Sequence, residues 1–475
     1  MTHTYDVVIL GGGTGGYITA IRAAQLGKTV AVVERDKLGG TCLHRGCIPS
    51  KALLRSAEVY STMKEAEAFG VEASGLSLNF GKVQERKNKT VQQLHSGVQM
   101  LMKKHKIDVY YGNGRIVGPS IFSPKAGAVA VEQEDGDVIT LVNSHLVIAT
   151  GSRPRIIPGL EPDGERVFSS DEALELEALP PSIIIVGGGV IGVEWASMLN
   201  DFGVEVTIVE AERRLLPLED EDVSKELARL FAKRGIRILT GVKVQADTLE
   251  KHADGVTIAA AAEGAESSEV LTAGALLVSV GRAPNVEGIG LENTDVKLER
   301  GFIRVNEWQQ TAEPHIYAIG DCTGGPQLAH AAAHMGIVAA EHLSGDAQTA
   351  FHGGHVPRCV YTRPEIASVG LTEREAREAG RSVKIGKFPY QALGKAIVHG
   401  EPNGFAKVVT DAETDDILGV HLIGERATDM IGEAALAQLL NASVWEMAQL
   451  IRPHPTLAEA LGEAVLAVDG RSLAM

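Results

Sequence analysis

Tyr5-Asp6-Val7-Val8-Ile9-Leu10-Gly11-Gly12-Gly13-Thr14-Gly15-Gly16 decides the fold. The apolar run Tyr5 to Leu10 suits a buried parallel strand, and the glycines interrupt it before a helical stretch that lasts to Gly27. A second strand, Thr29 to Glu34, ends on a carboxylate. Strand, glycine turn, helix, strand and acid, in that order, are what a dinucleotide-binding unit requires. Gly11 permits the tight turn, Gly13 lets the backbone approach a pyrophosphate, Gly16 packs helix on strand, and Glu34 would hold a ribose hydroxyl.

The arrangement recurs. Ser182-Ile183-Ile184-Ile185-Val186 leads into Gly187-Gly188-Gly189-Val190-Ile191-Gly192, a helix carrying Glu194, and a strand from Glu205 that ends at Glu210. Glu34 and Glu210 stand equally far from Gly11 and Gly187, so Gly187, Gly189 and Gly192 repeat the roles of the first set. Such a chain is expected to hold two dinucleotides. A flavin with a nicotinamide is the chemically useful pair, since one stores electrons and the other delivers or removes a hydride. Glu210 favours NAD, because a carboxylate accepts from ribose hydroxyls and repels a 2′-phosphate. Arg213 and Arg214 lie close by and are expected on a solvated face.

Other segments are less specific. Val129 to Val142 alternates around Asp135-Gly136, a hairpin signal. Leu146 to Gly151 reads as a separate apolar strand ending in Ala149-Thr150-Gly151, and Ile316 to Ile319 as another that runs into Gly320-Asp321. A strand Leu276 to Val280 precedes Gly281-Arg282. From about Val356 the chain changes to short strands and helices, with a capping box at Thr372-Glu373-Arg374-Glu375 and antiparallel strands at Phe405 to Thr410 and Ile417 to Ile423.

Two of the four cysteines lie in Gly39-Gly40-Thr41-Cys42-Leu43-His44-Arg45-Gly46-Cys47-Ile48-Pro49-Ser50-Lys51, ahead of a helical stretch from Ala52. Five helical residues rise about 7.5 Å, whereas bridged Cα atoms rarely exceed about 6.8 Å. A disulfide here therefore needs irregular backbone, which Gly46 and Pro49 are expected to supply. Buried thiols or a metal half-site fit the spacing as well.

With the rest of the chain, this segment resembles the redox-disulfide signature of the flavin-dependent dihydrolipoamide dehydrogenases, within the wider pyridine nucleotide-disulfide reductase family. The resemblance runs from Tyr5 to Glu463 and includes Ala149-Thr150-Gly151, Gly320-Asp321 and the C-terminal His454-Pro455-Thr456 with Glu459. It implies an α/β fold of two Rossmann-like domains and a C-terminal α+β dimerisation domain: 1–150 for FAD, 151–282 for NAD, 283–350 returning to the FAD domain and 351–475 at the interface.

By the same resemblance, Cys42 exchanges with substrate, Cys47 lies against the flavin, Lys51 pairs with Glu194, and His454, oriented by Glu459, reaches the partner subunit's disulfide as acid and base. Gly11, Gly13, Gly16, Glu34, Thr41, Lys51, Thr150, Gly151, Gly320 and Asp321 would contact FAD, with Asp321 on the ribityl chain. Gly187, Gly189, Gly192, Glu210, Gly281 and Arg282 would contact NAD. No metal is implied. The implied reaction oxidises protein-bound dihydrolipoamide, and the implied partners are the lipoyl and subunit-binding domains of a 2-oxo acid dehydrogenase acyltransferase. Three positions depart from the family pattern: His44 replaces asparagine, Arg363 replaces histidine in Tyr361-Thr362-Arg363-Pro364-Glu365, and Arg452 replaces histidine two residues before His454. They leave room for a different dithiol substrate.

The chain has 475 residues, enough for about three domains, and a formal charge of -16, which argues against nucleic acid as partner. No apolar run is long enough to span a bilayer and no signal peptide precedes Tyr5, so a cytoplasmic location is expected. In a reducing compartment a paired disulfide is more often catalytic than structural. The rivals are a glutathione-type disulfide reductase, which would want arginines where Glu210 sits, and a non-catalytic redox-sensing subunit. A mercuric reductase would want a cysteine pair in the tail, and Asp469 to Met475 has none.

Overall fold

The computed structural model describes residues 1–119, 126–265 and 267–474; Met475, at the end of the cysteine-free tail, lies outside them. The chain divides into two compact units. The first is Met1–Ala52, Lys82–Arg155 and Arg282–Gly353; the second is Leu53–Gly81, Ile156–Gly281 and Gly354–Met475.

The first unit is built on β1 (Thr2–Leu10), α1 (Thr14–Gln25), β2 (Val30–Glu34), α2 (Gly40–His44), α3 (Cys47–Lys64), α4 (Phe80–Lys104), β3 (Asp108–Tyr111), β4 (Asn113–Val117), β5 (Ala128–Glu132) and β6 (Val138–Ile148); α3 and α4 each have one end in the second unit. Its sheet runs β3-β2-β1-β6-β5-β4, and the strand Ile316–Ala318 joins the free side of β6 in parallel. Both faces are covered, so the central strands are apolar throughout. Val7, Ile9, Val30, Val32 and Val147 pack on one side with residues of α1 and α4. Val8, Leu10, Ala31, Val33, Leu146 and Ile148 pack on the other. This is the burial that makes parallel strands read as unbroken hydrophobic runs.

Two local expectations change. The hairpin around Asp135-Gly136 forms, with Glu132 opposite Val138, but its second arm does not stop at Val142. It continues as the single strand β6, because β1 pairs with it from Thr2↔Thr140 through Leu10↔Ile148, and the Asn143 amide donates to Gly127 O at 2.8 Å. Polar residues that looked like a break are thus carried in register. Likewise α3 begins at Cys47 and not at Ala52. Pro49 falls in its first turn, where a missing N–H costs nothing, so the irregularity between the cysteines comes from Arg45 (φ −136°, ψ 18°) and Gly46 alone.

The second unit contains a parallel sheet in the order Arg237–Thr240, Glu205–Glu210, Ser182–Val186, Ala275–Val278, Val167–Phe168. It also has a three-stranded antiparallel sheet, Val242–Lys251, Val256–Ala262 and Glu269–Ala273, which no sequence pattern marks. A five-stranded antiparallel sheet follows from Arg358 to Gly424, with Phe405–Asp411 beside Ile417–Gly424 as expected. The Thr372 capping box is present in both directions.

Within this unit Lys407 is buried among three carboxylates, at 2.9 Å from Asp220, 3.1 Å from Asp222 and 2.8 Å from Glu373. Burial pulls its pKa down, but hydrogen bonds and charge from these acids outweigh that and raise it. His421, its cross-strand neighbour, is fully buried and for that reason held below its ordinary value. Lys407→Met leaves the buried Asp220 carboxylate without its cation, while Asp222 and Glu373 keep Lys387 and Arg377, and should cost about 3–5 kcal/mol in urea unfolding. The lowered carboxylates stabilise the fold above their unfolded values near pH 4, and that share is lost as pH falls through their lower folded values. His421 acts earlier: from about pH 6.5 downward the unfolded chain takes up a proton that the folded chain resists. The urea midpoint should therefore drop between pH 7.5 and pH 5.5, above the range in which the carboxylates titrate.

Candidate active site

The two glycine turns are near copies. Gly11 has φ +110° and Gly187 φ +107°, in the region closed to side chains, and a Cβ would lie 2.3 Å from Ala149 O in the first and 2.5 Å from Ser279 O in the second. A Cβ on Gly16 or Gly192 would lie 1.9 Å from the carbonyl of Gly11 or Gly187, so these glycines let the helix close on its own turn. Glu34 accepts from Gly12 N at 2.7 Å and Asp36 N at 2.8 Å. Glu210 accepts from Gly188 N at 2.5 Å and Glu212 N at 2.7 Å. Each acid pins its loop and keeps lone pairs for a ribose hydroxyl.

The third position of the triplet differs in kind. Around Gly13 the nearest atom to a Cβ is Gly40 Cα at 3.9 Å, and around Gly189 there is none within 4 Å. Both glycines cap helices without a side-chain hydrogen bond, which leaves first-turn N–H groups for an anion. The protein itself has no use for glycine there; a pyrophosphate lying close to the backbone does, so both turns fit a dinucleotide. Gly189→Ala should then fold with an unchanged melting temperature yet bind NAD at least about tenfold more weakly by titration, because a methyl group occupies the cradle. Gly192→Ala should lose stability in the same melting experiment, since its Cβ meets backbone.

Beside Glu210 the expected solvated face is only half right. Arg213 is exposed, but Arg214 turns inward, donating to Glu219 O at 2.7 Å, Ser224 Oγ at 2.8 Å and Pro217 O at 2.7 Å. The loop before the helix Glu221–Lys233 has carbonyls without backbone partners, and the guanidinium satisfies them, so it is not held out toward a 2′-phosphate.

Cys42 lies in α2 and Cys47 opens α3, both half-buried and present as thiols. The Cys42 thiol donates to Cys47, and this contact, ahead of burial, raises its pKa; the Thr14 hydroxyl and the Lys51 charge act in the opposite direction. Thr14 is the first residue of α1, and Gly13 and Gly39 form a bridge, so the thiol pair sits directly beside the first glycine turn. Thr14 was not among the expected site residues. Thr41 shares α2 with Cys42.

Thr150 Oγ1 donates to Asn285 O at 2.6 Å, and Asn285 N donates to Gly151 O at 2.9 Å. Asp321, in the 3-10 turn that opens at Gly320, accepts from Ser152 Oγ at 2.5 Å. Arg282 is one of the residues expected to contact NAD. The structure puts it in the first unit, donating to Ser152 Oγ at 2.7 Å and standing 4.0 Å from Asp321, while Gly281 belongs to the second unit. The antiparallel pairing of 282–284 with 152–154 brings this about. Ser152 and Asn285 carry no motif that could have marked them.

In the second unit His454 Nδ1 lies 2.9 Å from Glu459 Oε1, and Glu459 Oε2 accepts from Thr456 N at 2.8 Å. Burial would raise the Glu459 pKa, but these hydrogen bonds bring it below the usual value, so the acid is a charged partner for the imidazole. The His454 side chain is 77% exposed in the single chain. Arg452 is buried against Glu433 and donates to Met447 O and Leu450 O at 3.3 Å, bracing the loop that presents His454. Arg363 is likewise committed, to Glu65 at 2.9 Å and Asp201 at 3.2 Å. Glu194 is buried and accepts from Tyr361 N at 2.9 Å.

No group of three or more His, Cys, Asp or Glu side chains among the described residues could hold a metal ion, and no helix among them is long and apolar enough to cross a membrane.

The profile of the pyridine nucleotide-disulphide oxidoreductases matches residues 5–336, and that of their dimerisation domain matches 356–465. The chain is 60% identical over 474 residues to the dihydrolipoyl dehydrogenase of Bacillus subtilis and 43% identical over 475 residues to that of Zymomonas mobilis, each covering all of both chains. Among solved structures it resembles LpdA of Mycobacterium tuberculosis, with a TM-score of 0.89 and 28% identity over 97% of this chain and 98% of that one. It also resembles the HOCl-induced flavoprotein disulfide reductase RclA of Escherichia coli, with a TM-score of 0.83 and 28% identity over 97% and 99%. The chain belongs to the pyridine nucleotide-disulphide oxidoreductase family.

Proposed function

We propose that this chain is a dihydrolipoyl dehydrogenase, oxidising dihydrolipoamide to lipoamide at the expense of NAD. The observation that carries the reading is the Cys42–Cys47 pair in hydrogen-bond contact beside the first glycine turn. Dihydrolipoyl dehydrogenases of this family use FAD and NAD. Here FAD would be held by Gly11, Gly13, Gly16, Glu34, Thr41, Lys51, Thr150, Gly151, Gly320 and Asp321, and NAD by Gly187, Gly189, Gly192, Glu210, Gly281 and Arg282. When bound, the flavin accepts an electron pair from the reduced cysteines and the nicotinamide carries it away as hydride.

The steps on the chain itself balance as thiol–disulfide exchange. A dihydrolipoyl thiol, with pKa near about 8.5, is only a few per cent ionised at pH 7, so His454 of the partner subunit removes its proton. The thiolate attacks Cys42 of the oxidised pair; the Cys42–Cys47 bond breaks and Cys47 leaves as thiolate. The second substrate sulfur then attacks the first, closing the lipoyl disulfide; the imidazole gives its proton to the departing Cys42 sulfur and takes up the one that the second substrate thiol loses, so the pair is left as a Cys42 thiol and a Cys47 thiolate. Glu459 keeps that imidazole oriented.

The matched dimerisation domain supports a homodimer, with 351–475 as its interface, after 1–150 and 283–350 for FAD and 151–282 for NAD. Lys51 and Glu194 complete the site. The partners of such an enzyme are the lipoyl and subunit-binding domains of a 2-oxo acid dehydrogenase acyltransferase, and its location is the cytoplasm. The test is NADH formation by the purified yellow protein with free dihydrolipoamide. Turnover with NAD and much weaker turnover with NADP supports the reading. Reduction of glutathione disulfide by NADPH without dihydrolipoamide oxidation would replace it with the rival reductase.

A further inference from the structure

His44 departs from the family pattern, and the structure gives it work. Its Nε2 lies 2.9 Å from Leu38 O, and Nδ1 of His95, in α4, lies 3.0 Å from the same oxygen. The two rings meet edge to face with centroids 5.0 Å apart. A carbonyl oxygen has two lone pairs, so both imidazoles can donate to it at once. Burial, against the opposing effect of the Leu38 bond, holds His44 below its ordinary pKa; the ring is neutral at pH 7 and its single proton is fixed on Nε2.

Leu38 is itself anchored. Its side chain is buried under the first glycine turn, where a Cβ on Gly12 would come within 2.7 Å of Cδ2, and the next residue, Gly39, donates to Gly12 O at 2.8 Å. Helix α2 has five residues, far too few to hold its own shape, so its orientation depends on external bonds. His44 is its last residue, two positions beyond Cys42. The His44–Leu38 bond closes α2 back on the loop that leads into it, and His95 ties that closure to α4. The Arg45–Asp36 ion pair spans the same loop from an exposed position, where such pairs contribute little.

The geometry points to His44 and His95 as positioning residues for the Cys42 thiol, acting through a shared hydrogen bond to the Leu38 carbonyl. The inference rests on the thiol-exchange reading of Cys42. Neither imidazole touches substrate in it; their N–H groups fix α2 so that Cys42 is presented to an incoming sulfur while remaining against Cys47.

Four variants test this in the full-length flavoprotein: His44→Ala, His44→Gln, His95→Ala and the double alanine. Three readouts are taken. One is kcat and KM for dihydrolipoamide. Another is NADH oxidation by a quinone, which needs neither cysteine. The third is the rate at which iodoacetamide alkylates Cys42 in the reduced protein, followed by mass. For His44→Ala the expectation is a kcat at least fivefold lower with KM within twofold, quinone reduction unchanged, and Cys42 alkylation at least threefold faster as α2 loosens. His44→Gln, whose amide nitrogen takes the place of Nε2 without titrating, should return both kcat and alkylation to within twofold of wild type. Because the two histidines share one acceptor, the double alanine should depart from the product of the single effects.

Wild-type kcat and alkylation in His44→Ala overturn the proposal. So does a parallel loss of dihydrolipoamide and quinone turnover that glutamine does not rescue, since that pattern means a general folding role. If His44→Ala does not fold, His95→Ala read against His95→Asn decides by the same criteria. If the wild-type protein itself does not oxidise dihydrolipoamide, the functional reading fails, and the alkylation rates alone still decide the positioning role.

Discussion

Cys42→Ser should reduce NAD-dependent oxidation of dihydrolipoamide by at least about a thousandfold, since no other group can form the covalent link to substrate sulfur. The variant should nevertheless stay yellow and keep its melting temperature. Cys42 is half-buried in the middle of a short helix, and a hydroxyl there can still donate to Cys47 as the thiol does. Loss of turnover with retention of flavin is therefore the signature of chemistry and not of damage. Quinone reduction by NADH, which bypasses the cysteines, should continue near the wild-type rate. Dihydrolipoamide turnover in Cys42→Ser within tenfold of wild type would end the disulfide mechanism.

His454→Gln should lower the same turnover by about a hundred- to ten-thousandfold, the range of a lost general acid and base. Its partner Glu459 is held by Thr456 N, so the loop should survive the change, and flavin content should be normal. The more demanding test concerns which subunit the histidine serves. If His454 acts across the dimer, Cys42→Ser and His454→Gln homodimers are each inactive, but a mixed dimer has one site with both lesions and one with neither. Random reassociation of equal amounts makes half of the dimers mixed, so about one site in four is whole under two-fold symmetry. Unfolding the two proteins together, refolding, and verifying subunit exchange by mass should raise activity from near zero to about a quarter of wild type. Complete exchange with no recovery would place the histidine's action within its own subunit or remove it from the reaction.

How much of this was legible beforehand differs from one feature to the next. The two glycine turns could be read because each residue meets a local demand. Gly11 and Gly187 need positive φ, and Gly16 and Gly192 have no room for a Cβ. Glu34 and Glu210 are close enough in sequence for each strand–helix–strand unit to place them on its own loop. The family resemblance found the cysteine pair, whose spacing alone had left a metal half-site open. By contrast, the sequence pattern puts the helix start at Ala52 and not at Cys47, because proline reads as a breaker although a first turn tolerates it. The single strand β6 was divided because Asn143 to His145 look like a loop, and only the neighbouring β1 makes them strand.

By itself the sequence determined the strand–turn–helix units, their equal register and the acids that end them, since these depend on backbone sterics and hydrogen bonds over a few tens of residues. Tertiary structure alone decided what surrounds the reactive groups. Thr14 beside Cys42, Ser152 and Arg282 on Asp321, Lys407 among its three acids, and His95 meeting His44 on the Leu38 carbonyl join positions from 28 to 187 residues apart. No periodicity or motif links such positions. Each is a polar group buried by the packing of distant elements, and its partner is whichever group that packing brings within about 3 Å to satisfy it.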